Sequence, residues 1–448
     1  MVISATIASL LCGAPSIDLN RIDTIVRSYV NSRHFSGSVL VARDEKVLFD
    51  RAYGMANWDL KVPNKSTTKF RLGSVTKQFT AAAILRLEEQ GKLKIEDKVS
   101  SVIAEAPASW KDITIRHLLH HESGIPDILG LKDYPTFKQK SHSRDELLKR
   151  FLELPLRFEP GTSHRYSNSG YILLGMIIER VSGVSYESFL QQHIFDPAGM
   201  KDTGCDHNLK VIPNRATGYV MTKTGLDPAP YIDMSIPLGA GVMYSTTVDL
   251  WKWQRAFFGG KVLTSGSMAK MLQPLDGIRP SEIGIGMGLV IDDFYGHRQI
   301  FFGGGIEGFN SVLMFDPVDK TVIVALSNVN TAFIDPMCGQ ISAVSRGEKV
   351  TLISERQEIQ LSETALKEFV GAYAINEKLS MNIGLAEGKL YVQVDGQDKF
   401  VLFAEGKNRF FMRDLDAQAE FVREKDGRLT LLWTQGGGTS RFPARAGI

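Results

Sequence analysis

The chain has 448 residues, 43% hydrophobic and 23% charged, an ordinary globular composition that excludes global disorder and leaves room for two or three domains. A formal charge of +2, with no long run of one sign, argues against nucleic acid or an anionic membrane as the main partner. Three scattered cysteines, Cys12, Cys205 and Cys338, form no CxxC or Cys/His spacing, so neither a metal site nor a disulfide framework is expected.

Residues 1–17 are uncharged, and 3–11 form a short apolar run before Cys12-Gly13-Ala14-Pro15. This is like the end of a secretory signal segment without its basic start, and it favours an extracytoplasmic protein, periplasmic or secreted, over a cytoplasmic one. No stretch approaches about 18 consecutive apolar residues, so no membrane span is expected. Residues 18–33 read as a helix, with Asp18 as N-cap and Ile22, Ile25, Val26 and Tyr29 on one face. Two strand-like runs, 38–43 and 47–53, follow with a hairpin turn at Asp44-Glu45-Lys46.

Leu72-Gly73-Ser74-Val75-Thr76-Lys77 reads as a loop that turns into a helix at Ser74. Apolar Val75, Phe79, Ala82, Ala83 and Leu87 keep helical spacing, and Gly91 is the stop. Ser74 and Lys77 lie one turn apart on one face. A serine hydroxyl is a poor nucleophile until a neighbour takes its proton, and an amine of lowered pKa can do so. The positive end of the helix favours negative charge forming there. The plainer reading is an N-cap serine followed by a solvated lysine.

From 112 to 200 the pattern is mostly helical. His117, His120 and His121 cluster before the turn at Ser123-Gly124-Ile125-Pro126, but His-Glu-x-x-His is absent, so His117 reads as a packed helical residue. Tyr166-Ser167-Asn168 precedes a helix over 171–181 that ends at Ser182-Gly183. A tyrosine there can exchange a proton if a nearby cation lowers its pKa from about 10; the plainer reading is a buried aromatic beside a capping serine. Residues 205–245 are loop-rich, and 250–258 look helical. Strands return at 288–291, 299–302, 310–315 and 321–326. The glycines of Phe302-Gly303-Gly304-Gly305 read as the end of a strand, where a substrate can approach the backbone closely. These elements predict an α+β domain whose antiparallel sheet joins the first hairpin to the late strands, with an all-helical lobe between. After a linker at 346–360, short alternating segments split by Gly388, Gly396, Gly406 and Gly427 predict a small antiparallel β-barrel-like domain.

Taken in this order, the motifs resemble the serine β-lactamase and penicillin-binding superfamily, in its class C-like branch. Segments 70–80, 117–126, 158–161, 166–171, 197–200 and 239–246 carry the likeness, which spans roughly 20–345. The tail from about 361, entered by Phe369-Val370-Gly371-Ala372-Tyr373, resembles the lipocalin-like domain often appended to such enzymes. The resemblance implies a hydrolase domain over 18–345 and a β domain over 361–448. It makes Ser74 the nucleophile and gives Lys77 and Tyr166 the general-base and general-acid work. Asn168 would bind the acyl side chain and Lys77, and the N–H groups of Ser74 and Gly305 would form the oxyanion hole. Gly303, Gly304 and Phe302 would flank the substrate. No metal or organic cofactor is implied; the partner is a small-molecule ester or amide.

One departure decides the expected substrate. The family's third motif is usually Lys-Thr-Gly or His-x-Gly, and here it is Phe302-Gly303-Gly304. The cation that binds a substrate carboxylate and favours an ionised tyrosine is missing. The expectation is therefore a carboxylesterase for short-chain esters with at most weak β-lactamase activity. The alternatives are a β-lactamase, D-Ala-D-Ala carboxypeptidase or D-aminopeptidase, or a penicillin-binding sensor that acylates without turnover. An α/β-hydrolase is disfavoured because G-x-S-x-G is absent.

Overall fold

The computed structural model describes residues 16–275, 284–294, 296–331, 334–413, 416–435 and 438–445. The apolar run at 3–11 and Cys12-Gly13-Ala14-Pro15 lie outside them. Asp18 accepts the Arg21 backbone N–H and starts helix α1 (Leu19–Asn31), whose Ile22, Ile25, Val26 and Tyr29 are buried as their spacing predicts. Strands β1 (Gly37–Arg43) and β2 (Lys46–Tyr53) form the expected hairpin, turning at Asp44 with φ 52°. The late strands are β3 (Gly284–Gly286), β4 (Leu289–Phe294), β5 (His297–Ile306), β6 (Phe309–Asp316) and β7 (Thr321–Ser327). They join the hairpin in one antiparallel sheet of order β3-β4-β5-β6-β7-β1-β2. The junction is β1 on β7, in register Val39↔Ala325 and Val41↔Ile323.

Side chains along a strand alternate between faces. Val39, Val41, Met314 and Ile323 pack on one side against α1 and helix α5 (Ile334–Ser345). Leu40, Ala42, Leu313, Val324 and Leu326 point to the other side, into a larger core. That core holds helices α2 (Thr76–Glu89), α3 (Asn168–Ser182) and α4 (Thr247–Phe258). Each buried Val or Leu contributes about 1.5–3 kcal/mol, so the doubly covered sheet is a stiff base for whatever lies on it. The sequence spacing gives α2 one apolar face, yet every residue from Thr76 to Leu85 is buried. Small Ala81, Ala82 and Ala83 let neighbours close in on all sides, and α2 runs through the centre of the domain.

Strand β5 corrects the sequence reading of its glycines. The strand does not end at them but continues to Ile306, with Gly303↔Val312, Gly304↔Ser311 and Gly305↔Asn310 paired to β6. Packing explains the glycines. A Cβ on Gly304 would lie 2.0 Å from the Leu72 carbonyl oxygen and 3.1 Å from the Ser74 nitrogen. Without side chains, β5 lets the Ser74 turn rest directly on the sheet.

Residues 346–360, read as a linker, are packed rather than free. Val350 and Leu352 are buried against the α1–α5 core, and Arg21 pairs with Glu355. Arg356 binds Glu405 at 2.6 Å, and Gln340 of α5 donates to Asp416 at 2.5 Å, tying the two parts of the chain together. Among the described residues, the tail forms eight antiparallel strands between residues 371 and 443, paired in chain order around Tyr373, Phe410, Phe421 and Leu431. Its ends meet through the Tyr373↔Ala444 bridge and the Arg445 N–H to Ala372 carbonyl bond of 2.8 Å, giving a nearly closed barrel.

Candidate active site

Ser74 lies in a 3₁₀ turn, Gly73–Val75, that runs straight into α2. Gly73 has φ 52°, and a Cβ there would fall 2.7 Å from the Gly305 carbonyl oxygen and 2.9 Å from its nitrogen. The turn and β5 are thus in backbone contact at the serine. Lys77, one turn further on, is fully buried, which removes the solvated-lysine reading. Its Nζ lies 3.1 Å from Ser74 Oγ, 2.9 Å from Asn168 Oδ1 and 2.8 Å from the Ala240 carbonyl oxygen. Burial pushes the amine down to about 7, against the opposing charge of Asp127. Asn168 Oδ1 and the Ala240 carbonyl can only accept. A neutral amine gives both of its hydrogens to them and keeps its lone pair for Ser74 Oγ.

Asn168 is itself oriented. Its Nδ2 donates to the Asp127 carboxylate at 3.2 Å, and its backbone N–H does so at 3.2 Å. That fixes Oδ1 toward Lys77. Tyr166 approaches from the other side, its hydroxyl 2.6 Å from Ser74 Oγ. Ser167 caps α3 by accepting the Gly170 N–H, so the capping serine and the tyrosine in contact with Ser74 coexist in one tripeptide. The sequence raised the case of a cation lowering this tyrosine. Although Lys77 Nζ lies 4.8 Å from its ring centroid, desolvation prevails and holds the hydroxyl well above the usual tyrosine range.

Ser74 opens on a cleft of about 380 Å³ that Asn168 and Gly305 also line. Leu129 and Tyr134 come from one loop and Ile232 and Ile236 from another, within the 125–145 and 205–240 segments that flank it. Glu307 is the one charged residue lining it among the described residues, and it is paired with Lys138 at 2.6 Å. The other third-motif residues stand back. Gly304 packs beneath the Ser74 turn, Gly303 faces Asp335 on the opposite side, and Phe302 is buried in the larger core. His117 is a helix residue whose Nδ1 accepts the Thr114 N–H at 3.3 Å.

The family described as Beta-lactamase matches residues 22–337. The chain belongs to this family. That makes it a serine hydrolase of β-lactamase fold, as the motifs implied. Its residues 355–436 match a domain of unknown function, DUF3471. Among its relatives, penicillin-binding protein 4* of Bacillus subtilis is 27% identical over 93% of this chain and 96% of its own. A putative penicillin-binding protein, PbpX, of the same organism is 32% identical over 68% of this chain and 73% of its own. The crystal structure of a penicillin-binding protein from Bacillus halodurans is 27% identical, with a TM-score of 0.65 over 72% of this chain and 99% of that one.

Within this β-lactamase-family site, sequence reasoning missed Asp127 and the Ala240 carbonyl. Asp127 follows the Gly124-Ile125-Pro126 turn and looks like any loop aspartate. The Ala240 contact is made by backbone and leaves no side-chain signal. The second was within reach, because 239–246 is one of the segments that carries the family likeness.

Proposed function

We propose that Ser74 is the nucleophile of an acyl-enzyme hydrolase whose preferred substrates are uncharged short-chain carboxylic esters. The cleft carries this reading: beside Ser74 it is mostly apolar, and Glu307, the one charged lining residue among those described, is already paired with Lys138. Phe302 in place of a third-motif cation supports it, since no fixed positive charge there awaits a substrate carboxylate.

Lys77 takes the Ser74 proton as Oγ attacks the ester carbonyl. The N–H groups of Ser74 and Gly305 hold the oxyanion, and loss of one such donor typically costs about 100–1000-fold. Tyr166, kept protonated, passes its proton to the departing alkoxide and is reprotonated from Lys77. Water then attacks the acyl-enzyme by the same route, releasing the acid and restoring Ser74. Asn168 steers Lys77 and faces the acyl group. Among the described residues, none that lines the cleft comes from the β-barrel-like tail over 361–448, and the uncharged N-terminal run supports work outside the cytoplasm.

A second reading, acylation by penicillins with slow release, is favoured by the relatives named as penicillin-binding proteins. Intact-mass analysis with an activated short-chain ester, a penicillin and a fluorophosphonate separates the two, on wild type and Ser74→Ala. Ester turnover with an adduct confined to Ser74 and slow penicillin acylation supports the esterase. A stable penicilloyl adduct without ester turnover supports the second reading. An adduct that persists in Ser74→Ala overturns both.

A further inference from the structure

His121 is not part of the proton path, yet it contacts Tyr166 and both of its chain neighbours. Its backbone carbonyl accepts the Arg165 N–H at 3.0 Å. Its Nδ1 accepts the Ser167 N–H at 3.2 Å. Its ring lies against the Tyr166 ring, with centroids 4.5 Å apart and an interplanar angle of 35°. One residue thus holds the chain on both sides of Tyr166 and the aromatic ring between. We propose that His121 is a positioning residue that sets the Tyr166 hydroxyl on Ser74 Oγ.

The anchoring of His121 fits this task. Its other face rests on Tyr171, centroids 5.0 Å apart, and the Tyr171 hydroxyl donates to the Leu119 carbonyl at 2.8 Å. Tyr171 belongs to α3, so the imidazole is wedged between the segment before the helix and the helix itself. The residue is 4% exposed, and burial keeps the ring neutral. An Nδ1 that accepts from an amide puts the proton on Nε2. His121 also sits at φ 60°, in the left-handed region that few non-glycine residues adopt, histidine and asparagine among the more tolerant. That conformation turns both its carbonyl and its ring toward 165–167. Tyr166 has a single hydroxyl to place within 2.6 Å of Ser74, and a phenol ring free to swing would hold that contact only part of the time.

The inference rests on the proposed role of Tyr166, and a double-mutant cycle tests the two separately. Hydrolysis of p-nitrophenyl butyrate is followed for the full chain carrying His121→Gly, His121→Asn, Tyr166→Phe and the two pairs. Glycine keeps the left-handed backbone and removes the ring. Asparagine keeps the backbone and a short acceptor for the Ser167 N–H. Tyr166→Phe is expected to lower kcat by about 100-fold, within the range of general acid–base catalysis. His121→Gly is expected to lower kcat by at least ~10-fold with little change in KM, and His121→Asn by less. In the Tyr166→Phe background either change at 121 is expected to cost under ~2-fold, because there is no hydroxyl left to place. If the costs at 121 and 166 instead multiply, His121 supports the fold generally and the proposal is overturned. If Tyr166→Phe leaves kcat unchanged, the role given to Tyr166 falls and the inference with it. Should His121→Gly fail to fold, the His121→Asn cycle decides alone, since it too removes the ring contact.

Discussion

Lys77 Nζ and Ser74 Oγ are 3.1 Å apart in a site where the lysine has no exposed surface. The hydroxyl and the amine are neighbours on one helix turn, and burial, partly opposed by the charge of Asp127, brings the amine down to about 7. Below that pH Lys77 is an ammonium with no lone pair for Ser74; above it the neutral amine can take the proton. The kcat/KM for an uncharged ester should therefore rise with pH through about 7. Tyr166, held above the usual tyrosine range, should add no falling limb below pH 9. Lys77→Arg keeps a cation but removes the base, and should lower kcat/KM by about 1000-fold. A flat profile between pH 6 and 8 would contradict Lys77 as the base.

Asp127 sets a second, separable effect. Its charge raises the Lys77 pKa against desolvation, and its carboxylate orients Asn168. Asp127→Asn removes the charge while leaving an acceptor for the Asn168 amide. The rising limb of the pH profile should move to lower pH, with a modest loss in kcat. A shift to higher pH, or none, would show that Asp127 does not act on Lys77 through charge. Stopped assays in overlapping buffers at constant ionic strength read the limb directly, because the interaction is partly screened by salt.

These relationships were unevenly visible in the sequence. Ser74 and Lys77 are three residues apart, so helical geometry alone joins them. Tyr166 lies 92 residues from Ser74, and only the family likeness connected the two. The hairpin, the late strands and α1 follow from local alternation and capping, and their pairing into one sheet followed from the hairpin-like strands at both ends of the domain. What could not be read is set by tertiary packing. The full burial of Lys77, and the desolvation of the Tyr166 hydroxyl on a residue that is otherwise partly exposed, shift the two in opposite directions and come from elements far along the chain. The glycines of β5 looked like a strand end because nothing local says that a serine-bearing turn will lie on top of them. In the tail, glycine turns announce the strands, but the Tyr373↔Ala444 contact that nearly closes the barrel is a long-range pairing without a local signature.

The adjacent glycines Gly303 and Gly304 should respond very differently to one added methyl. At Gly304 the new Cβ would meet the Leu72 carbonyl at 2.0 Å, the Ser311 hydroxyl at 2.5 Å and the Ser74 nitrogen at 3.1 Å. Backbone must move, and it is the backbone that carries Ser74. Gly304→Ala should cost about 1–3 kcal/mol in stability and at least ~100-fold in kcat. At Gly303 the nearest atom is an Asp335 carboxylate oxygen at 3.5 Å, an ordinary contact. Gly303→Ala should fold and turn over esters within ~3-fold of wild type. Denaturant melts and ester kinetics on the pair check both halves; equal losses would mean that the close approach of β5 to the Ser74 turn does not govern catalysis.

Phe302 offers the sharpest test of substrate choice. It shares the face of β5 that carries Gly304, the face on which the Ser74 turn rests, and it packs into the larger core at 8% exposure. An apolar ring there supplies no charge for a substrate carboxylate, and Glu307 at the far side of the strand end adds a negative one, balanced by Lys138. Phe302→His introduces an ionisable group without the long stem of a lysine, although burial there holds its charged form to pH below the ordinary imidazole value of about 6.5. It should raise the rate of penicillin acylation at Ser74 by at least ~10-fold relative to ester hydrolysis. The gain should be larger at pH 6 than at pH 8, because only the imidazolium attracts the carboxylate; the sign is opposite to that of the Lys77 limb, so the ratio of the two rates isolates it. Time-resolved intact mass for the penicillin and steady-state kinetics for the ester give that ratio. An unchanged ratio at both pH values would mean that the missing third-motif cation does not set the proposed preference for uncharged substrates, leaving the apolar walls formed by Leu129, Ile172, Ile232 and Ile236 as its basis.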